Sequence, residues 1–490
     1  MLPAGREAGL DLGARFYVRH RPERTLLYQI VDEYYPAFKQ HLASHLPAYV
    51  GQEFEDYLKC GRLEHGFLRV RCDNCHAEHL VAFSCKRRGF CPSCGAHRMV
   101  EAAALLVDEV FPAQPVRQWV LSLPYPLRFL LASRPEVMGK VLGIVYRCVA
   151  THLIRKAGFT RSTAQTGAVT LIQRFGSALN LNIHFHMLFL DGAFTEPAAG
   201  SLRFHPTKAP TAAELSELAH ALAFRIGRYL ERQGLLERDA ENSYLVGDEI
   251  DAGPLAQLQG ASITYRVAAG QQQGRKVFTL QTLPANEDLT YNEAGKVVGF
   301  SLHAGVAARA DQRDKLERLC RYICRPAVSE RRLSLTPNGN VRYELKTPYR
   351  DGTTHVIFEP LDFIAKLAAL VPPPRANLTR FHGVFAPNSR YRARVVPGRQ
   401  VQHNEQDSPG EEATPAERRA SMNWAQRLKR VFGIDIETCP ACGGTVRIVA
   451  CIVDPDVIEK ILNHVEEKLP GAVSSQLPPS RASPQIGLFG

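Results

Sequence analysis

The sequence predicts an α+β protein with a small cysteine-rich domain before the main fold and a small Cys-x-x-Cys module after it. Three observations carry this reading. From about 112 to 397, stretches of strand-like alternation take turns with stretches of helical periodicity. Residues 60–97 concentrate cysteines. A second Cys-Pro-x-Cys-Gly, Cys439 to Gly443, repeats Cys91 to Gly95 far downstream, after a polar stretch.

Each element follows in order. Residues 1–25 carry Arg and Glu throughout and no apolar run, so they read as a flexible arm and not as a secretory leader. Residues 26–111 form the helical, cysteine-bearing domain. Leu26, Ile30, Tyr34 and Phe38 sit at helical spacing within 26–59, and 98–111 is rich in helix formers. The main domain spans 112–397, with strands expected at 117–123, 168–175, 181–190 and 263–267 and helices at 136–157, 212–234 and 311–325. Residues 398–420 are a polar linker, 421–468 the second module, and 469–490 a disordered tail rich in Ser and Pro.

The chain has 490 residues, a formal net charge of +11 and an isoelectric point near 9.1. That excess of Lys and Arg favours a polyanionic partner, with nucleic acid ahead of a membrane surface. No run of about 18 apolar residues exists, so no membrane-spanning helix is expected. The longest apolar stretch, Trp119 to Ala132, is broken by Pro124, Pro126 and Arg128. Twelve cysteines without a secretory leader read as thiols and metal ligands in a reducing cytoplasm.

Cys72-x-x-Cys75 and Cys91-x-x-Cys94 together offer four thiolates for one tetrahedral zinc, each pair chelating through a tight knuckle that Gly95 suits. Four metal-free buried thiols are the bland alternative, and two paired knuckles argue against it. Cys60, Cys85, His65, His79 and His97 read as ordinary side chains, or one of them replaces a ligand or helps form a second site. Cys439-x-x-Cys442 is half of a possible second zinc site, which Cys451 or His464 would complete. Lys86, Arg87, Arg88 and Arg98 surround the first site, which suggests DNA contact.

Leu181–Leu190 alternates as a strand, so His184 and His186 point to one face and can share a divalent cation. On its own, His-x-His is more often two ordinary histidines. A hairpin with the preceding strand, turning near 178–179, puts Gln173 opposite His184 and supplies a third ligand, provided the register does not slip. Downstream, Leu316, Leu319, Cys320 and Ile323 form one helical stripe ended by Pro326. Tyr322 lies beside the stripe, near Arg318 and Arg325, where guanidinium groups would favour the phenolate and hold phosphate oxygens. A half-buried interfacial tyrosine is the alternative.

Cys-Lys-Arg-Arg-Gly-Phe-Cys-Pro-Ser-Cys, then His184-Phe185-His186, then Leu-Cys-Arg-Tyr322-Ile-Cys-Arg-Pro, occur in that order. This series resembles the rolling-circle transposases of the insertion sequence ninety-one family and the related common-region elements. Phe300 to Gly305 and Arg380 to Pro387 extend the likeness, which covers roughly 40 to 397 plus the Cys-Pro-x-Cys-Gly-Gly module. The resemblance implies an HUH-type antiparallel sheet with flanking helices, Mg²⁺ or Mn²⁺ held by His184 and His186, and Tyr322 as nucleophile. The substrate would be single-stranded DNA at element ends, in a bacterial cytoplasm. Many relatives carry a second tyrosine where this chain has Arg318, so it resembles the single-tyrosine branch. No Gly-x-x-x-x-Gly-Lys-Ser/Thr is present, so strand opening would come from a host helicase or the replication machinery.

Between 375 and 399 six arginines, Arg380 among them, interleave with Phe381, Phe385 and Tyr391, a pattern for tracking phosphates and stacking on bases or else a solvated basic loop. His303 reads as a further active-site group or a core residue. A plasmid replication initiator or relaxase would use the same site. A non-catalytic zinc-dependent DNA-binding protein, or a decayed transposase, are the remaining readings.

Overall fold

The computed structural model describes residues 21–42, 46–197, 201–238, 253–283, 299–397 and 437–468, with short strands at Arg15–Phe16, Ser243–Leu245, Lys296–Val297 and Ile434–Asp435. Most of the expected arm, the 398–420 linker and the 469–490 tail lie outside the described residues.

The central sheet is antiparallel throughout and six-stranded. Its order is Lys296–Val297, β7 (Phe300–Ala308), β3 (Val116–Ser122), β5 (Leu181–Leu190), β4 (Gly167–Phe175) and β11 (Thr379–Gly383). Strand alternation gives it two faces. One carries Trp119, Leu121, Phe185, Met187 and Phe189, buried against the helices α5 (Pro135–Lys156) and α6 (Ala212–Arg232). By length and composition α5 is apolar enough to cross a membrane, yet Val141, Val145, Val149 and Leu153 are buried in this core. A capping box starts α6: the Glu214 backbone N–H donates to the Thr211 hydroxyl at 3.2 Å, and the Thr211 N–H donates to the Glu214 carboxylate at 2.6 Å.

The other face carries Val169, Leu171, Leu188 and Leu190. Against it pack the end of α3 (Pro92–Ala104) with the segment Leu105–Val110, and the stripe Leu316, Leu319, Cys320 and Ile323 of α8 (Arg313–Ile323). Arg313 clamps the start of α8 by donating to the carbonyls of Pro112 at 3.0 Å and Phe111 at 2.9 Å.

A second core joins α1 (Leu26–Leu42), α2 (Ala48–Lys59) and α9 (Pro360–Leu370) to a four-stranded sheet. Its order is β6 (Phe278–Gln281), β10 (Thr353–Phe358), β9 (Val341–Glu344), β8 (Leu333–Leu335). The expected strand at 263–267 is instead the end of α7 (Pro254–Ile263) and the turn after it, with one bridge between Arg266 and Lys276. Thr264 explains the misreading in part: β-branched residues favour strands, but its hydroxyl donates to the Gly260 carbonyl at 2.8 Å and closes the last helical turn.

A three-stranded sheet completes the fold: β12 (Val446–Ile452), β1 (Phe67–Cys72), β2 (Glu78–Ala82), in that order. The C-terminal module thus adds its strand directly to the N-terminal cysteine-rich domain. α11 (Pro455–Lys468), which follows the short helix α10 (Arg392–Val395), seals a small core of Leu63, Phe67 and Ile458.

Candidate active site and cysteine clusters

The β4–β5 hairpin turns at Gly176–Asn180, where the Gly176 N–H donates to the Asn180 carbonyl at 2.9 Å. Its register sets Gln173 opposite His184. His184, His186 and Gln173 are all buried, on the face over which α8 packs. The two imidazole centroids are 4.9 Å apart. His184 Nδ1–H donates to the Asn182 carbonyl at 2.8 Å, which leaves Nε2 as a free lone pair. The Gln118 amide reaches His186 Nδ1 at 2.7 Å. The atom at that distance is the amide nitrogen; a half-turn of the Gln118 amide, which exchanges its nitrogen and oxygen, would set the oxygen on an Nδ1–H and leave His186 Nε2 free as well. Burial, reinforced by Arg325 and Arg128, lowers the His184 pKa to about 4. Burial, then His184 and Arg325, lowers His186 too. Both imidazoles are neutral at pH 7, the form that binds cations.

Gln173 Nε2 donates to the Ile323 carbonyl at 3.0 Å, tying this strand to the turn of helix that carries Tyr322. Its Oε1 is buried without a hydrogen-bond partner among the described residues. A buried orphan acceptor costs about 1–3 kcal/mol. Beside two inward imidazoles, that oxygen completes a three-donor set fit for a divalent cation.

Tyr322 is half-buried, and two cations cover its ring. Arg325 lies 4.4 Å from the centroid and Lys346 Nζ 4.1 Å. Burial alone would raise the phenol's pKa, but the charges of Arg325 and Lys346 outweigh it and lower the value below 10. Arg325 also lies 5.4 Å from the Phe175 ring, and its field reaches both histidines. Its charge therefore acts on both the tyrosine and the imidazole pair.

The second cation comes from Lys346, just after β9, and not from Arg318, which is exposed on α8. No sequence spacing links Lys346 to Tyr322. Arg380 pairs in register with Thr170 on the sheet face opposite the histidines, so the structure does not bring it to Tyr322. Of the aromatics expected to stack on bases, Phe385 and Tyr391 are core side chains. His303 is exposed, opposite Val120 on the histidine-bearing face, and Ser301 Oγ lies 2.8 Å from its Nε2.

The expected zinc quartet is regrouped. Cys91 and Cys94 meet Cys60 and Cys85, while Cys72 and Cys75 meet Cys439 and Cys442. Within each group the sulfurs all lie within 4.8 Å of one another, and close pairs are 3.4–3.7 Å apart. A tetrahedron of zinc–thiolate bonds about 2.3 Å long has edges of about 3.8 Å. The physical reason for the regrouping is the β1–β2 hairpin. It carries Cys72 and Cys75 to its tip, while Cys60 and Cys85 stay at its base beside Cys91 and Cys94. At about 3.3 Å per residue, β1 separates the two ends by about 20 Å. Cys451 pairs with Leu68 outside either group, and His464 is not a member. At the tip, Gly443 has a φ of 73° and its N–H donates to the Cys439 carbonyl at 2.9 Å, the turn that presents both thiols.

Gly95 serves a contact other than a knuckle. A Cβ there would lie 2.6 Å from Pro326 Cβ, so the missing side chain lets α3 press on the segment that follows the tyrosine helix.

Residues 30–123 match a family model described as "Transposase zinc-binding domain", of insertion sequence ninety-one type, and residues 167–392 match one described as "Putative transposase". The chain belongs to the insertion sequence ninety-one transposase family. No curated protein and no solved structure matches the chain. In this transposase the zinc-binding match covers the base cluster and stops far short of Cys439 and Cys442, and the second match covers both histidines and Tyr322.

Proposed function

We propose that the chain nicks and rejoins single-stranded DNA through a covalent 5′-phosphotyrosine at Tyr322 during rolling-circle transposition. The observation that carries this is the cation-covered phenol of Tyr322, joined through Gln173 to the sheet face that holds His184 and His186.

His184 Nε2, His186 Nε2 and Gln173 Oε1 would hold Mg²⁺ or Mn²⁺, which when bound polarises a phosphodiester and steadies the charge on its oxygens. Arg325 and Lys346 favour the phenolate, whose proton passes to water. The Tyr322 oxygen attacks phosphorus in line, the bond to the 3′-oxygen breaks, and that oxygen leaves as a 3′-hydroxyl after taking a proton. The tyrosyl phosphodiester retains the bond energy, so a 3′-hydroxyl reverses the step without ATP. An unpaired strand suits the site because a single backbone can thread into it, and unwinding is left to a host helicase or the replication machinery. Each cysteine cluster holds one structural Zn²⁺.

The test is an oligonucleotide assay on the full chain. Metal-dependent covalent adducts, lost in Tyr322→Phe, support the reading. Shifted bands with no cleavage in any divalent metal would replace it with a zinc-dependent DNA-binding protein.

A further inference from the structure

Between the zinc-binding domain and the central sheet lies a cavity of about 350 Å³, within the size range of small-ligand sites. Arg88 and Arg98 enter it from the zinc-binding domain, Arg174 from β4, and Arg325 from beyond the tyrosine helix. Among the described residues no carboxylate lines it. Gln173 with its orphan oxygen is also in the wall, and the ring of Phe175 and the aliphatic edge of the sheet supply an apolar side.

Arg174 decides what the cavity is for. It is 5% exposed, and its Nη2 has no hydrogen-bond partner among the described residues. Its Nε makes one long contact, donating to the Leu370 carbonyl at 3.4 Å. Burial lowers its pKa to about 10, so it remains charged at pH 7. A buried guanidinium without a counter-charge is costly unless an anion arrives to pair with it. Four arginines in the wall of one small space suit a phosphodiester, which accepts two parallel N–H bonds from each fork that reaches it; Arg88 and Arg98 each already donate one bond, to the Ala376 carbonyl at 2.7 Å and the Lys86 carbonyl at 3.4 Å, and keep further N–H groups.

We infer that this cavity seats one nucleotide of the DNA strand, its phosphate on Arg98 and Arg174 and its base against Phe175, next to the nucleotide under attack at Tyr322. The assignment rests on the single-strand reading of the active site. It also gives the zinc-binding domain a direct part in holding the substrate: the base cluster fixes the start of α3, and α3 carries Arg98 into the cavity wall.

The experiment measures binding of a fluorescein-labelled single-stranded oligonucleotide by the full-length, zinc-loaded protein across a salt series. Arg174→Gln and Arg98→Gln are compared with wild type, and Arg98→Gln sits near the rim, so it reads the cavity even if Arg174→Gln fails to fold. Losing one charged phosphate contact should weaken binding about tenfold or more. It should also flatten the salt slope by about one per arginine. A strand carrying 5-iodouracil should crosslink to the peptide containing Phe175 or to residues 372–379. Wild-type affinity and slope in Arg98→Gln, or crosslinks confined to other peptides, would overturn the assignment. If the Tyr322 adduct still forms in that case, the proposed function stands and only the cavity reading falls. If the wild type neither binds the strand nor forms an adduct, both fall.

Discussion

Replacing Cys439 and Cys442 with serine should release the C-terminal module from the zinc-binding domain. Among the described residues the module is held by strand pairing between β12 and β1, by the small core of Leu63, Phe67 and Ile458, by an exposed Arg447–Asp73 ion pair at 2.7 Å that adds little, and by the tip cluster of Cys72, Cys75, Cys439 and Cys442. Three buried side chains contribute about 1.5–3 kcal/mol each, so the core supplies about 5–9 kcal/mol as an upper figure. A tetrathiolate zinc supplies about 10–16 kcal/mol at neutral pH. Ordering the module's backbone costs about 1–2 kcal/mol per residue, more than the core alone returns. Without the ion, β12 should therefore leave β1. Zinc analysis of the purified protein should fall from two ions per chain to one, and amides of 446–452 should lose their protection from hydrogen exchange. The base cluster should keep its zinc. A wild type with a single zinc, or a double variant with two zincs and unchanged exchange, would refute the tip cluster as a metal clasp.

Gly95→Ala brings a methyl group to within 2.6 Å of Pro326, so it should destabilise the protein by about 1–3 kcal/mol and slow DNA cleavage while leaving zinc content unchanged, as metal analysis and thermal melts would show. Lys346→Gln removes a cation that lowers the Tyr322 pKa. The phenol's pKa then rises, the phenolate fraction at fixed pH falls, and the cleavage-versus-pH profile should move to higher pH, with up to about tenfold lower rate per unit of displacement. Gln173→Leu removes the orphan oxygen along with its donor to Ile323, so stability should change by less than about 2 kcal/mol. Cleavage at low Mn²⁺ should drop sharply and recover as Mn²⁺ is raised. A loss that no metal concentration repairs would show that Gln173 only positions α8.

The sequence was most legible where one local rule settles the geometry. The alternation of 181–190 puts His184 and His186 on one face, and Gln173 falls opposite His184 as expected, beyond a register shift between Gln173 and Phe175 that the sequence does not show. The stripe of α8 was legible for the same reason. Contacts made by distant segments were not. Lys346 reaches Tyr322 only because the four-stranded sheet delivers it there. The two Cys-x-x-Cys pairs look like one site until the strands between them stand up as a hairpin, and nothing in the spacing says that residues 439 and 442 return to its tip. Arg380 misled because composition does not say which face of an edge strand a side chain takes.

The most direct measurement is mass spectrometry of the wild-type chain after incubation with a single-stranded element end and Mn²⁺. The account predicts a nucleotide attached through its 5′-phosphate to the peptide containing Tyr322, and none in Tyr322→Phe. Cleaved DNA with no protein adduct, or an adduct on another residue that survives in Tyr322→Phe, would contradict it.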